Sequence, residues 1–113
     1  MSIAEVFDPS HDPTALPTFE LAREPIDLSS RRAAMEARWL SLLAEFDRRE
    51  GWRADGQLSC VDWLVWRCGL SRSAAYDRLR VAHELTRRPE VRGSFAAGAL
   101  SYAKVRAITR WPW

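Results

Sequence analysis

Apolar residues recur through the middle of this chain on the period of a helix. Met35, Trp39, Leu42, Leu43 and Phe46 fall at +4, +7, +8 and +11 from the first of them, which is one stripe at 3.6 residues per turn. The spacing predicts a helix over 30–50, capped by Ser29 or Ser30. Gly51 is expected to close it in the left-handed conformation that suits a residue without Cβ. The charged run Asp47-Arg48-Arg49-Glu50 reads as a solvated helix end, and 51–56, with glycine at both ends, as a loop.

Ser59 opens a second predicted helix, with Asp62 placed near its first-turn amides. Val61, Leu64, Val65 and Cys68 share one face, while Trp63 and Trp66 point to the other. Core packing accounts for that tryptophan pair better than stacking on bases or on a partner. Gly69 ends the helix, and Ser71 caps a third over about 72–87. This one is expected to bury Ala74, Ala75, Leu79, Ala82 and Leu85. Arg72, Ser73, Tyr76, Asp77, Arg80, His83 and Glu84 lie on its other face. Arg78 falls on the apolar side by angle, so it must snorkel or pair with an acid. Pro89 begins a short helix that ends before Gly98, and Ser101 caps a last segment from Tyr102 to about Arg110. The order glycine, leucine, serine, helix thus occurs at Gly69-Leu70-Ser71 and again at Gly98-Ala99-Leu100-Ser101.

Residues 1–28 differ in kind. They hold Pro9, Pro13, Pro17 and Pro25 and carry a net charge of −5, against +7 for 29–113. This composition predicts a disordered acidic arm with at most one short helix near Phe19–Arg23. The expected fold is therefore all-α, a small helical domain of about five helices over 29–113 with a helix-turn-helix-like pair, preceded by that arm. All but one of the 17 basic residues are arginine, the cation better shaped for bidentate phosphate or carboxylate contacts.

The start of the chain lacks the basic and apolar regions of a secretory signal. No apolar run approaches the ~18 residues of a membrane span, so the expected setting is cytoplasmic and away from membranes. Cys60 and Cys68 on one helix stand about 12 Å apart, too far for a disulfide, and read as two buried thiols. The histidines are His11 and His83 only. No cysteine–histidine set has zinc spacing, no glycine-rich phosphate loop occurs, and nothing gathers a serine, histidine and acid together. The sequence is therefore read as non-catalytic, with no metal and no cofactor.

One constellation points to a partner. The segment VDWLVWRCGLSRSAAYDRLRVAHEL has the parts of a helix-turn-helix. Gly69 supplies the turn and Ser71 the cap, and Arg72, Ser73, Tyr76 and Arg80 project outward as candidate DNA-binding residues. Free amides at the helix start favour anions. Contact with duplex DNA of this kind is weak and falls steeply with salt. An ordinary helical hairpin accounts for the same residues, and Asp77 and Glu84 on the outward face reduce the attraction.

Three blocks occur in order along the chain: Leu43-Ala44-Glu45-Phe46-Asp47-Arg48-Arg49, then Trp63-Leu64 with Trp66-Arg67-Cys68-Gly69-Leu70-Ser71, then Leu100-Ser101-Tyr102-Ala103-Lys104-Val105-Arg106-Ala107. Through them the stretch from about Leu42 to Arg110 resembles the domain of unknown function 222, or thirteen-E-twelve repeat, family. The resemblance implies a lineage frequent in actinobacteria. It also implies the N-terminal domain of longer proteins that end in a metal-dependent His-Asn-His endonuclease module. That module's histidines have no counterpart here, and the ending Trp111-Pro112-Trp113 is unlike the family, so a truncated member is expected. Three readings stay open: a nucleic-acid-associated module derived from such a nuclease, a helical interaction module that self-associates or docks a partner, and an inert remnant.

Overall fold

The computed structural model describes residues 12–111. Among the described residues there are five α-helices and no strand. They are α1 (Thr18–Arg48), α2 (Cys60–Cys68), α3 (Arg72–Thr86), α4 (Pro89–Ala96) and α5 (Tyr102–Ile108), with 3-10 turns at Pro13–Ala15 and Gly51–Asp55. The all-α fold read from the sequence is the fold observed. Residues 1–11 of the expected arm, with His11, and the closing Pro112-Trp113 lie outside the described residues.

α1 is longer than its stripe predicts, starting at Thr18 and running through Pro25. A proline inside a helix lacks one amide donor and crowds the preceding turn. Here that turn is exposed, so the carbonyl left without a partner faces solvent. At about 1.5 Å per residue α1 is roughly 46 Å long and spans most of the molecule's 49 Å length. α3 and α4 pack along its C-terminal two thirds, α2 packs on α3, and α5 closes against α4.

The buried face of α1 is not the one its large residues predict. Ala33, Ala37, Leu40, Leu43 and Ala44 are buried, whereas Met35 and Leu42 are exposed. Small side chains let neighbouring helices come close, so the alanine stripe makes the contact. Phe19 and Ile26 continue it at seven-residue spacing from Ala33 but overhang the body and are exposed. Phe95, Leu40, Leu64, Val81 and Val105 form the fully buried centre, each contributing on the order of 1.5–3 kcal/mol by removal from water.

The punctuation follows the sequence except at the two ends of α1. At its start Ser29 and Ser30, the expected caps, lie inside the helix and Pro17 precedes its first residue. Ser59, Ser71 and Ser101 each accept an amide hydrogen bond from the third residue beyond, and Gly69 and Gly98 both take positive φ. At the end of α1 the left-handed residue is Glu50, φ 54°, and not Gly51. Gly51 is needed for space: a Cβ there would stand 2.5 Å from the Phe46 ring. Asp47 is no solvated terminus either. It accepts from Trp52 Nε1 at 2.9 Å and stands 2.7 Å from His83 Nε2, tying α1 to the following 3-10 turn and to α3.

Candidate functional site

The α2–α3 hairpin is built by its turn. The Gly69 amide bonds back to the Leu64 carbonyl, Leu70 drops into partial burial, and the Ser71 hydroxyl holds the Ala74 amide at 3.1 Å. Three residues therefore separate the two helices, and the first turn of α3 lies beside α2.

Of the four residues singled out from the sequence, three gather at this corner. Arg72 Nη1 reaches Asp62 Oδ1 on α2 at 2.7 Å, and its guanidinium lies 5.9 Å from the Tyr76 ring centroid. Tyr76 and Ser73 are exposed. The Arg72 guanidinium holds the Asp62 carboxyl below its ordinary range, so this pair keeps its charges at neutral pH. Asp62 in turn offsets part of the positive charge of Arg72.

Arg80 is placed differently. Its Nη1 donates to the carbonyl and hydroxyl oxygens of Thr109 at 3.2 and 3.4 Å, and its Nη2 to the Arg106 carbonyl at 3.4 Å. It stands two turns from Arg72 and fastens the end of α5 against α3. Asp77 beside it accepts from Tyr102 Oη and pairs with Arg106 Nε, both at 2.8 Å. Burial alone would raise the Asp77 carboxyl, but hydrogen bonds from Arg106 and Tyr102 outweigh it and leave the group below its ordinary value. The middle of the outward face of α3 is thus covered by α5, and its start is open. Arg78, as its position requires, pairs with Glu36 at 2.8 Å and lies over the Tyr102 ring at 3.5 Å.

Trp66 and Arg67 join the corner without having been singled out. Trp63 packs inward, its ring 4.4 Å from Phe46 and its Nε1 donating to Asp55 at 2.9 Å. Trp66 is exposed, with the Arg67 guanidinium 4.9 Å from its ring. The two tryptophans therefore do not act as a packing pair. Asp62 and Trp66 are four apart on one face of α2, and Arg72 and Tyr76 four apart on one face of α3. Because Arg72 bridges to Asp62, the two arginine–aromatic pairs border one surface. The signal in the sequence was the adjacency of Trp66 and Arg67, an aromatic ring with a guanidinium next to it.

Elsewhere, an open groove of about 360 Å³ between α1 and α4 is lined by Arg38, Ser41 and Arg92 together with alanine, glycine and proline. Among the described residues no group of three or more histidine, cysteine or acidic side chains could hold a metal ion. Nor is any helix long and apolar enough to cross a membrane. Cys60 is buried and Cys68 exposed, both as free thiols, so only one of the two expected buried thiols is buried.

Residues 22–111 match the family model described as domain of unknown function (DUF222). No curated protein and no solved structure matches the chain.

Proposed function

We propose that this chain, which belongs to the DUF222 family, is a non-catalytic helical module that contacts nucleic acid through the open corner of its α2–α3 hairpin. The observation that carries the reading is the pair of exposed arginine–aromatic stacks, Arg67 on Trp66 and Arg72 on Tyr76. A ring beneath a guanidinium holds its plane and lowers the entropy lost when it grips a phosphate. Ser73 adds a hydroxyl beside them. Charge on phosphates is the same for every sequence, so contact of this kind positions and does not specify.

The contact is weak, because Asp62 already satisfies part of Arg72. A dissociation constant on the order of 10⁻⁴–10⁻⁶ M near physiological salt fits sequence-independent duplex binding. Arg80 leaves the set, since its donors are spent on α5.

Fluorescence anisotropy with a labelled duplex across a salt series tests this. Arg67→Ala with Arg72→Ala should remove most of the binding. Arg48→Ala with Arg49→Ala changes the charge equally on a helix end given no nucleic-acid role, and should cost little. Equal losses would reduce the effect to bulk charge. A folded sample that binds no duplex even at low salt would overturn the reading.

A further inference from the structure

The open groove between α1 and α4 holds two arginines that no acid answers. α4 runs antiparallel to α1. Pro89 at its start shares the groove with Ser41, and Gly98, just past its end, accepts from the Ser30 hydroxyl. Arg38 therefore stands on the α1 wall and Arg92 on the α4 wall. Both are exposed, and among the described residues neither takes part in an ion pair or hydrogen bond. The carboxylates nearby are engaged or turned away. Glu45, about two turns along α1 on the same side, holds Arg48 and Arg49. Glu90 lies about 160° round α4 from Arg92.

We propose that this groove binds a phosphate group, clasped between the Arg38 and Arg92 guanidiniums with the Ser41 hydroxyl as a further donor. Two cations on facing walls repel each other, and an anion held between them turns that repulsion into attraction. A lone carboxylate is satisfied by a single guanidinium through a two-point contact. A phosphate carries oxygens on more than one side and can be gripped from both walls at once. The grooves of about 400 and 430 Å³ on the α3 side of α1 differ in kind. Each has Glu36 among its arginines, and Glu36 already pairs with Arg78.

Size and lining narrow the ligand. A volume of about 360 Å³ exceeds a single phosphate and lies at the small end of organic ligand sites. The rest of a phosphate ester therefore has room along the groove. Ala34, Ala37 and Ala96 offer it apolar contact and no side-chain hydrogen bond, so the phosphate is what is recognised and not the group attached to it. A nucleotide monoester and the diester of a strand share that chemistry. On α1, Arg38 lies about 160° from Glu36, which faces α3 through Arg78. The groove is thus separate from the α2–α3 corner, and the inference does not rest on the reading of that corner.

Nuclear magnetic resonance of the arginine Nε–Hε groups in the full chain tests the proposal. The probes are inorganic phosphate, adenosine monophosphate and a single-stranded oligonucleotide with hydroxyl ends. The Arg38 and Arg92 signals should shift together and saturate, with a dissociation constant on the order of 1 mM for the mononucleotide. Gly93→Leu is the sharpest variant, because it removes no charge. A Cβ on Gly93 meets nothing within 4 Å, so the longer side chain can lie in the groove and should weaken binding about tenfold or more. Arg38→Gln with Arg92→Gln should do the same. Arg48→Gln with Arg49→Gln lowers the charge equally and should leave binding unchanged, which keeps the test decisive if the leucine variant misfolds. Saturation by the mononucleotide and not the oligonucleotide assigns the groove to a free monoester, and the reverse assigns it to a strand. No saturable shift with any probe overturns the proposal. So does a folded Gly93→Leu chain that binds as well as wild type, because bulk charge would then be the attraction. Binding lost only in Arg67→Ala with Arg72→Ala overturns it too, and returns the phosphate to the α2–α3 corner.

Discussion

Arg80 Nη1 lies 3.2 Å from the carbonyl oxygen of Thr109, and that bond joins the middle of α3 to the end of α5. The last carbonyls of a helix have no partner within the helix itself. In α5 they are met from two positions on one side, Arg80 at Thr109 and Arg106, and Arg88 at Ile108, 3.1 Å away, and at Trp111. A helix of only seven residues is too short to stand alone. Its attachment rests on these arginines together with the buried Val105 and Thr109.

Arg80→Ala is therefore expected to act on stability before it acts on binding. Loss of charge-assisted hydrogen bonds at a partly exposed site costs about 1–2 kcal/mol. For a domain of this size that lowers the melting temperature by roughly 4–15 °C. Arg72→Ala, whose pair with Asp62 is exposed on the arginine side, should stay within about 0.5 kcal/mol. Thermal melts of the two variants beside wild type check the ordering. Equal melting temperatures for Arg80→Ala and wild type would show that α5 is held without the clamp.

Gly98 and Gly69 share a positive φ, 80° and 68°, but differ in surroundings. A Cβ on Gly69 would meet nothing within 4 Å, while one on Gly98 would stand 2.8 Å from the backbone oxygen of Ser30. The Ser30 hydroxyl also donates to the Gly98 carbonyl at 3.3 Å. Gly69→Ala should cost about 1 kcal/mol, the left-handed penalty alone. Gly98→Ala should cost about 2 kcal/mol or more, because α1 must give way as well. Urea denaturation of both variants measures the difference, and equal midpoints would show that the α1 contact yields freely.

These contrasts mark how far the sequence could be read. The caps at Ser59, Ser71 and Ser101 and the turn at Gly69 were legible because each is a local bargain between neighbouring residues. The buried face of α1 was not. Its two apolar stripes share one period, and the larger residues, Met35 and Leu42, dominate the pattern although alanines make the contact. The start of α1 was hidden by Pro25, whose lost hydrogen bond matters less on an exposed turn. At the candidate site, Arg72, Ser73 and Tyr76 could be placed by helical angle alone. Arg80 has the same kind of angle, but α5 comes from 22 residues further on to cover it, and no local pattern announces that.

The Asp77 cluster predicts an acid dependence. The folded carboxyl lies below its ordinary value of 3.8, with Arg106 and Tyr102 outweighing burial. A group whose pKa is depressed by folding adds stability above its unfolded pKa and loses it as the pH falls toward the folded one. The contribution should be whole at neutral pH and fade below about pH 4. Asp77→Asn should cost about 1–2 kcal/mol at pH 7 and progressively less as the solution is acidified. Chemical denaturation between pH 7 and pH 2.5 would show the two stability curves converging. Parallel curves would mean that Asp77 is not the carboxylate that titrates.

The two cysteines predict a kinetic split. Burial pushes the Cys60 thiol up to about 12, with the Asp47 charge adding to it, so almost no thiolate exists there at pH 8. Burial also raises Cys68, but Arg67 beside it works the other way and the residue is exposed. Only the thiolate attacks a disulfide reagent, and only where the reagent can reach. With an aromatic disulfide at pH 8, one thiol per chain should react within minutes. The second should wait for unfolding of the hairpin, at a rate that rises with denaturant. Cys68→Ser should abolish the fast phase and leave the slow one. Cys60→Ser should do the reverse, at some cost in stability, because its side chain sits in the core beside Val61 and Leu64. Two equal fast phases in the wild-type chain would show α2 opening readily, and the turn at Gly69 could not then hold Arg72 against Asp62 as a standing surface.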